Sequence, residues 1–549
     1  MKKLLKKRIL ILISAVFVLV ALSATVIALE VKDTLFYLNT PTYINTKPLS
    51  LGTHGFNVTV KGSLDDNKEY EAYIFTLEQN GSLTISFNHE EVAESVLDGW
   101  RVTLYSIQNT GADDWYEYKE LTYFDALLKS LTASWGETGL EKGTYCIMVE
   151  PGQLFFPGEF DLTVSFTPTE SFEKEFNDTK EIANQLRLNR VIYGSSAQRS
   201  GEADVDYFKF EITSDTYVDV SFAHDDDKLP QVGWVVKLLT DDGQEISSFS
   251  SRYQDLSLNT GKINLRPGIY YVCIETQVQT GLTYRLKIET GISETTEFEI
   301  NDTPEKAEDF PENTVVSGSL APRVLGLDKD YFRMTLTEES YVTINFTHAF
   351  DEVEFDEEYN GWNVRLLRPE SDGSYTEIVK RISKWNDEGV SITGMGLPAG
   401  EYYILVDADS MRYTPVSYEL TYTCDNDILY EHESNNTKET ANEVGVLKNY
   451  YGTLISNDMN FDRDFYKFEV TEDRNIAFQF YHDYTSENTL AWVATIIDEN
   501  GNEVKQVQSA KNDYVVSTGV IELTKGTYYI LIENDLYSSE DTYWFKIIA

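Results

Sequence analysis

Along most of the chain apolar and polar residues alternate: Phe208, Phe210 and Ile212 are separated by Lys209 and Glu211, and Tyr284, Leu286 and Ile288 keep the same rhythm. Side chains on a strand point alternately to its two faces, so this spacing predicts β-strands that are packed on one side and wet on the other. Turn sequences such as Asp241-Asp242-Gly243 and Glu499-Asn500-Gly501 separate the runs, which suits antiparallel hairpins better than the long crossovers of parallel sheets.

The alternating runs are themselves repeated four times. A strand ending in Phe-x-His occurs at Phe87/His89, Phe222/His224, Phe346/His348 and Phe480/His482. A tryptophan then opens another strand, at Trp100, Trp234, Trp362 and Trp492, and a Gly-x-Tyr turn leads into a third, at Gly143/Tyr145, Gly268/Tyr270, Gly400/Tyr402 and Gly526/Tyr528. A chain of 549 residues exceeds what one hydrophobic core organises. The expected fold is all-β: four tandem antiparallel, jelly-roll-like β-sandwich modules over residues 30–169, 170–290, 291–427 and 428–549, behind an N-terminal segment 1–29.

That segment reads differently from the rest. Lys2, Lys3, Lys6, Lys7 and Arg8 precede an apolar run from Ile9 to Leu29, interrupted by Ser14, Ser23 and Thr25, the layout of an export signal. Small residues in Ala21-Leu22-Ser23 and Val26-Ile27-Ala28 favour cleavage, while the length of the run leaves an uncleaved membrane anchor open. With 91 acidic against 45 basic residues the formal charge is −46, which argues against nucleic acid and anionic lipid as partners and for cations. Membrane contact is then confined to segment 1–29. Three cysteines, Cys146, Cys273 and Cys424, do not make a disulfide scaffold.

Each of the last three modules is introduced by an acidic segment of fixed spacing: Glu173-Lys174-Glu175-Phe176-Asn177-Asp178-Thr179, Glu297-Phe298-Glu299-Ile300-Asn301-Asp302-Thr303 and Glu431-His432-Glu433-Ser434-Asn435-Asn436-Thr437. In an extended chain residues two apart point the same way, so both glutamates and the asparagine can direct oxygens toward one point. Further along, each module supplies an acidic pair before an aromatic strand: Asp204/Asp206, Asp328/Asp330 and Asp462/Asp464. Such a set suits calcium, which accepts six to eight oxygens in flexible geometry, better than magnesium, which demands a stricter octahedron and keeps its waters. Helix capping is the competing reading, because Asp178-Thr179-Lys180-Glu181 has the form of a capping box and Ala183, Ala307 and Ala441 each follow their threonine by four. Capping accounts for the Asn, Asp and Thr positions but not for the upstream glutamates or the Asp-x-Asp pairs.

These segments resemble those of bacterial pre-peptidase C-terminal domains, including the collagen-binding modules of clostridial collagenases, over most of residues 171–549. In those modules a Glu-x-Glu-x-Asn-Asp linker binds calcium with aspartates of the sandwich, and the ion orders the linker. The resemblance implies ligand roles for Glu173, Glu175, Asn177, Asp178, Glu297, Glu299, Asn301 and Asp302, and for the Asp-x-Asp pairs. Module four departs at Asn436, which lacks a charge, so weaker binding is expected there. Module one keeps Phe87, His89, Trp100 and Tyr145 but has no such segment and carries Glu69 and Glu71 where the aspartates stand; no equivalent site is expected.

No catalytic signature accompanies the repeats. The chain has no His-Glu-x-x-His, no Gly-x-Ser-x-Gly elbow and no P-loop, and one histidine per module at a strand end reads as structural. The tryptophans and the Gly-x-Tyr tyrosines read as core, although Tyr402/Tyr403 and Tyr528/Tyr529 put adjacent rings on opposite faces, one of which is expected to meet solvent. The expected protein is a non-catalytic, calcium-binding, multi-module chain, secreted or at the surface of a bacterial cell, for display or for binding an extracellular polymer, collagen-like protein or glycan. An accessory subunit that targets a secreted peptidase or glycosidase is the alternative, and a hydrolase built on a repeat histidine with Asp225 to Asp227 is the third reading.

Overall fold

The computed structural model describes residues 36–39, 46–48 and 55–549, except 66–69, 91–96, 110–114, 155–156, 201–202, 226–231, 253–254, 278–280, 293–295, 350–359, 385, 409–415, 427–428, 455–461 and 536–540. Segment 1–29, Glu69, Asp226 and Asp227 lie outside the described residues. The architecture is all-β, its only helical elements among the described residues being the 3-10 turns Lys180–Ile182, Pro304–Lys306 and Lys438–Thr440. No helix among the described residues is long and apolar enough to cross a membrane. The chain forms two compact units, one of residues up to 291 without 262–266, the other of 262–266 with 292–549.

Module four shows the plan. One sheet has the strand order Asn442–Glu443, Arg463–Val470, Gly526–Asn534, Leu490–Asp498, Glu503–Ala510; the other has Asn449–Gly452, Tyr543–Ile548, Arg474–His482, Val515–Leu523. All pairings are antiparallel except the short first one, in which Asn442 and Glu443 lie parallel to Tyr466 and Lys467. Module three repeats both orders, and modules one and two repeat the central strands. The alternating pattern of the sequence is the burial pattern of these strands: Phe208, Phe210 and Ile212 are buried, while Lys209 and Glu211 face outward. Inward residues of both sheets fuse into one core per module, as in the cluster joining Phe468, Phe478, Phe480, Trp492, Ile532 and Phe545.

The repeated marks lock this core. Trp100, Trp234, Trp362 and Trp492 are each at most 1% exposed. The histidine of each Phe-x-His strand lies against its tryptophan at ring distances of 4.3, 4.6, 4.1 and 4.2 Å. Its Nδ1 faces the carbonyl of the next residue, and in modules two to four its Nε2 meets a serine hydroxyl, Ser251, Ser383 or Ser509. These are structural roles. Replacing His482 by Ala should therefore cost about 1 to 3 kcal/mol through the unpartnered Ser509 and Asp483 groups, seen in calorimetry as a melting transition lowered by a few degrees.

The Gly-x-Tyr tyrosines are also core, and three of them reach back four residues: the hydroxyls of Tyr145, Tyr402 and Tyr528 donate to the carbonyls of Glu141, Pro398 and Thr524. The expectation of a solvent-facing second tyrosine fails at Tyr403, while Tyr529 is half-buried. Tyr403 is 6% exposed and packs with Ala307, Leu367 and Leu405, and Tyr271 packs with Leu239, Cys273 and Ala183. The outer face of this sheet is covered by the 3-10 turn of the module's own leading segment, which is why an alanine closes that turn. All three cysteines are free thiols.

Candidate metal centre

The acidic segments are pinned by backbone bonds on three sides. Glu173 and Glu431 donate their amides to Tyr193 and Tyr451, on the edge strand of the module's second sheet. Glu175 and Glu433 donate to Gly139 and Gly396, on a strand of the preceding module, and Glu299 donates to Asn264. The carbonyls of Asn177, Asn301 and Asn435 accept from Tyr207, Tyr331 and Phe465, each next to the second aspartate of its pair. The peptide bonds after Glu175, Glu299 and Glu433 are cis.

Pinned in this way, the segment and the strand bring three carboxylates together per module. Glu173, Glu175 and Asp206 offer oxygens within 4.8 Å of one another, as do Glu297, Glu299 and Asp330, and Glu431, Glu433 and Asp464. All are buried. In modules two and four the first glutamate and the second aspartate are tied by a tyrosine at the head of the last strand: Tyr284 donates to Glu173 Oε2 and Asp206 Oδ2, both at 2.7 Å. Tyr418 donates to Asp330 and Tyr543 to Asp464 and Glu431.

Burial without compensation shows in the titration. It pushes the Glu173 carboxyl up to about 8, with Asp204 adding to the shift, and takes Glu431 to about 7, with Asp462 adding. Desolvation drives Asp206, Asp330 and Asp464 well above the carboxylate range, and neighbouring carboxylates add to it. Glu175, Glu299 and Glu433 follow the same course, Glu175 against the opposing pull of Arg199.

The fit to a cation rests on oxygens left without protein partners. The side-chain carbonyls of Asn177, Asn301 and Asn435 and Oδ1 of Asp206, Asp330 and Asp464 are buried and accept no hydrogen bond. An unmet buried acceptor costs about 1 to 3 kcal/mol, and here two occur at the same positions in three modules. Three carboxylates with oxygens within 4.8 Å of one another fit inside the roughly 5 Å span of a calcium shell with ligands at 2.3–2.6 Å, and the amides of Asn301 and Asn435 donate to the first glutamate of their sets. The clustered oxygens would hold such an ion, supplying hard ligands and no redox chemistry.

The remaining predicted residues adjoin this set, Asp302 and Asp328 lying with Glu299 within 4.8 Å of one another. Asp178 and Asp204 face the guanidinium of Arg199, at 2.5 and 3.0 Å, which also reaches Glu175 at 2.6 Å. Asp302 and Asp328 face Arg323 at 2.9 and 2.8 Å. Asp328 and Asp204 also accept from the amides of Ala321 and Ala197, and burial raises their carboxyls to about 7 and about 6, opposed by the arginines. Asp462 is buried beside Glu431 and Glu433. Asn436, expected to lend its carbonyl to an ion, is exposed and accepts from the amide of Arg463. The capping reading holds for one module: Thr437 accepts from the Thr440 amide, while Thr179 and Thr303 make no side-chain cap. In module one Glu71 is buried and accepts from the Ser63 amide at 2.9 Å.

Sequence reasoning missed the bridging tyrosines, the two arginines, and the glycines packed against the sites, two each in modules two and four and one in module three. A Cβ on Gly194, Gly318 or Gly452 would strike the bridging tyrosine and the first glutamate, and one on Gly139 or Gly396 would strike the carbonyl of Glu173 or Glu431. The signals were present as a tyrosine recurring before Leu286, Leu420 and Phe545, and as Gly-Ser or Gly-Thr at Gly194, Gly318 and Gly452.

No family model and no curated protein matches the chain. Similar solved structures include the pre-peptidase C-terminal domain of a Bacillus anthracis collagenase, 23% identical over 21% of this chain and 99% of that one, at a TM-score of 0.17. A peptide-N(4)-(N-acetyl-β-D-glucosaminyl)asparagine amidase is 11% identical over 43% and 96%, at 0.19. The M60 catalytic domain with two CBM51 domains of Clostridium perfringens ZmpB is 8% identical over 90% and 55%, at 0.14.

Proposed function

We propose that the protein is a non-catalytic extracellular chain in which calcium, held at the head of modules two, three and four, fixes each leading segment against its sandwich. Glu173, Glu175, Asn177 and Asp206, with their counterparts Glu297, Glu299, Asn301, Asp330 and Glu431, Glu433, Asn435, Asp464, are the ligands. The observation that carries this reading is the pair of buried, unpartnered oxygens from Asn and Asp that recurs in all three clusters. The role is to space binding or display modules outside a bacterial cell, toward an extracellular polymer or protein; the apolar run Ile9 to Leu29 behind five basic residues supports export.

An ion at a hundred times its dissociation constant stabilises its site by about 2.7 kcal/mol. Calorimetric titration of the full chain with calcium should give saturable binding, and Glu299→Ala should remove the third module's share while leaving the others. Absence of heat in the wild-type chain, together with melting unaffected by chelator, would overturn the proposal.

A further inference from the structure

The three acid clusters differ in one respect. In module three the carboxylates form two overlapping groups that share Glu299: an inner one with Glu297 and Asp330, and an outer one with Asp302 and Asp328. Arg323 lies on the outer group alone, donating to Asp302 and Asp328. Module two repeats the arrangement with Arg199 on Asp178, Asp204 and Glu175, its side chain 9% exposed. In both, the Asn carbonyl and Oδ1 of the second aspartate are unpartnered on the inner side, while Oδ1 of Asp204 and of Asp302 on the outer side also accepts no hydrogen bond.

Module four changes two residues together. Asn436 stands where the others have Asp178 and Asp302, and the stretch preceding Asp462, Ile455 to Phe461, contains no basic residue. Arg463 turns its guanidinium to Glu533 instead, with Nε at 2.6 Å. Among the residues of the leading segments, the Asp-x-Asp pairs and the two arginines the formal charge stays constant, while in module four Arg368 of the preceding module also donates to the Glu433 carbonyl. Five carboxylates less one guanidinium leave −4 in modules two and three, and Glu431, Glu433, Asp462 and Asp464 leave −4 in module four.

We infer that Arg199 and Arg323 are tethered cations that fill the outer half of their clusters, so that each of the three modules takes a single calcium, at its inner group. This rests on the calcium reading of the clusters. A guanidinium presents fixed, planar donors to several carboxylates at once and cannot be deprotonated. It thus offsets one outer charge permanently, where an ion would do so only when bound. In module four the same balance is reached by deleting one acid, leaving its outer side without need of a cation.

The test counts calcium ions per full-length chain by flow dialysis at saturating calcium. The wild-type chain should bind three. Arg323→Gln uncovers Asp302, Asp328 and Glu299 and should raise the count to four; Arg323→Gln with Asp302→Asn, which copies module four, should return it to three, and Arg323→Lys should keep three. More than three ions on the wild-type chain, or three on a folded Arg323→Gln chain, would overturn the inference while leaving the inner sites standing. No ion on the wild-type chain would remove the calcium reading and this inference with it. Should Arg323→Gln fail to fold, the wild-type and Arg323→Lys counts decide, since an arginine that did not fill the outer half would leave it to additional ions in both.

Discussion

With chelator present, raising the pH from 5 to 8 is expected to lower the melting temperature far more than the same change at saturating calcium, so that the gap between the two curves opens steadily. The cause is the set of buried carboxyls. Glu173 binds its proton up to about pH 8 in the fold against an ordinary 4.5, Glu431 up to about 7, and Asp204 up to about 6 against 3.8. Within those windows the folded chain holds protons that the unfolded chain has released, so rising pH favours unfolding. Their stabilising contribution is complete below the ordinary carboxylate values and is lost as pH climbs through the folded ones. Calcium bound as proposed would replace the protons and require the ionised form, which would flatten the dependence. The gap should grow by about 1.4 kcal/mol per pH unit for each proton involved. Scanning calorimetry at pH 5 and pH 8, with and without chelator, gives the result; a gap of constant width would contradict calcium binding by these groups.

Gly396→Ala should undo the joint between modules three and four. The added methyl would overlap the carbonyl of Glu431, a backbone atom that cannot rotate aside, and would displace the bond from the Glu433 amide to Gly396. Overpacking against backbone combined with that loss is worth about 3 kcal/mol. Because the displaced residues are the proposed ligands of module four, the same energy should appear as roughly hundredfold weaker calcium binding there. Gly400→Ala is the control, since its Cβ meets the Tyr402 ring at an ordinary 3.6 Å. Limited proteolysis within residues 427–437, expected to be fast in Gly396→Ala and slow in Gly400→Ala, distinguishes them. Equal protection in both would show that the segment does not dock on Gly396.

The strands, their repeat and the acid clusters were legible because period-two alternation and fixed spacing are local properties of a sequence. Phe208, Phe210 and Ile212 point inward as their spacing requires, and Glu173, Glu175 and Asp206 meet because extended chain places alternate residues on one side. What was not legible depends on contacts between distant segments. Tyr284 lies over a hundred positions from Glu173, joined to it by a hydrogen bond that no spacing announces. Arg199 lies in a stretch without alternation, and its approach to Asp178 follows from loop packing, including its bond to Leu121 of the preceding module at 3.1 Å. The exposed tyrosine expected at Tyr403 failed for a related reason: alternation tells which face a ring is on, and not whether another segment covers that face.

The fastening of Glu433 to Gly396 on one side and of Asn435 to Phe465 on the other bears on how such a chain carries tension. A pull along the polypeptide reaches the short leading segment before it reaches the hydrogen-bonded ladders of either sandwich. The few bonds there, with whatever cation the carboxylates hold, yield first. Stretching would then lengthen the tether by peeling segments from their seats while the folded bodies stay whole, and slackening would let them seat again.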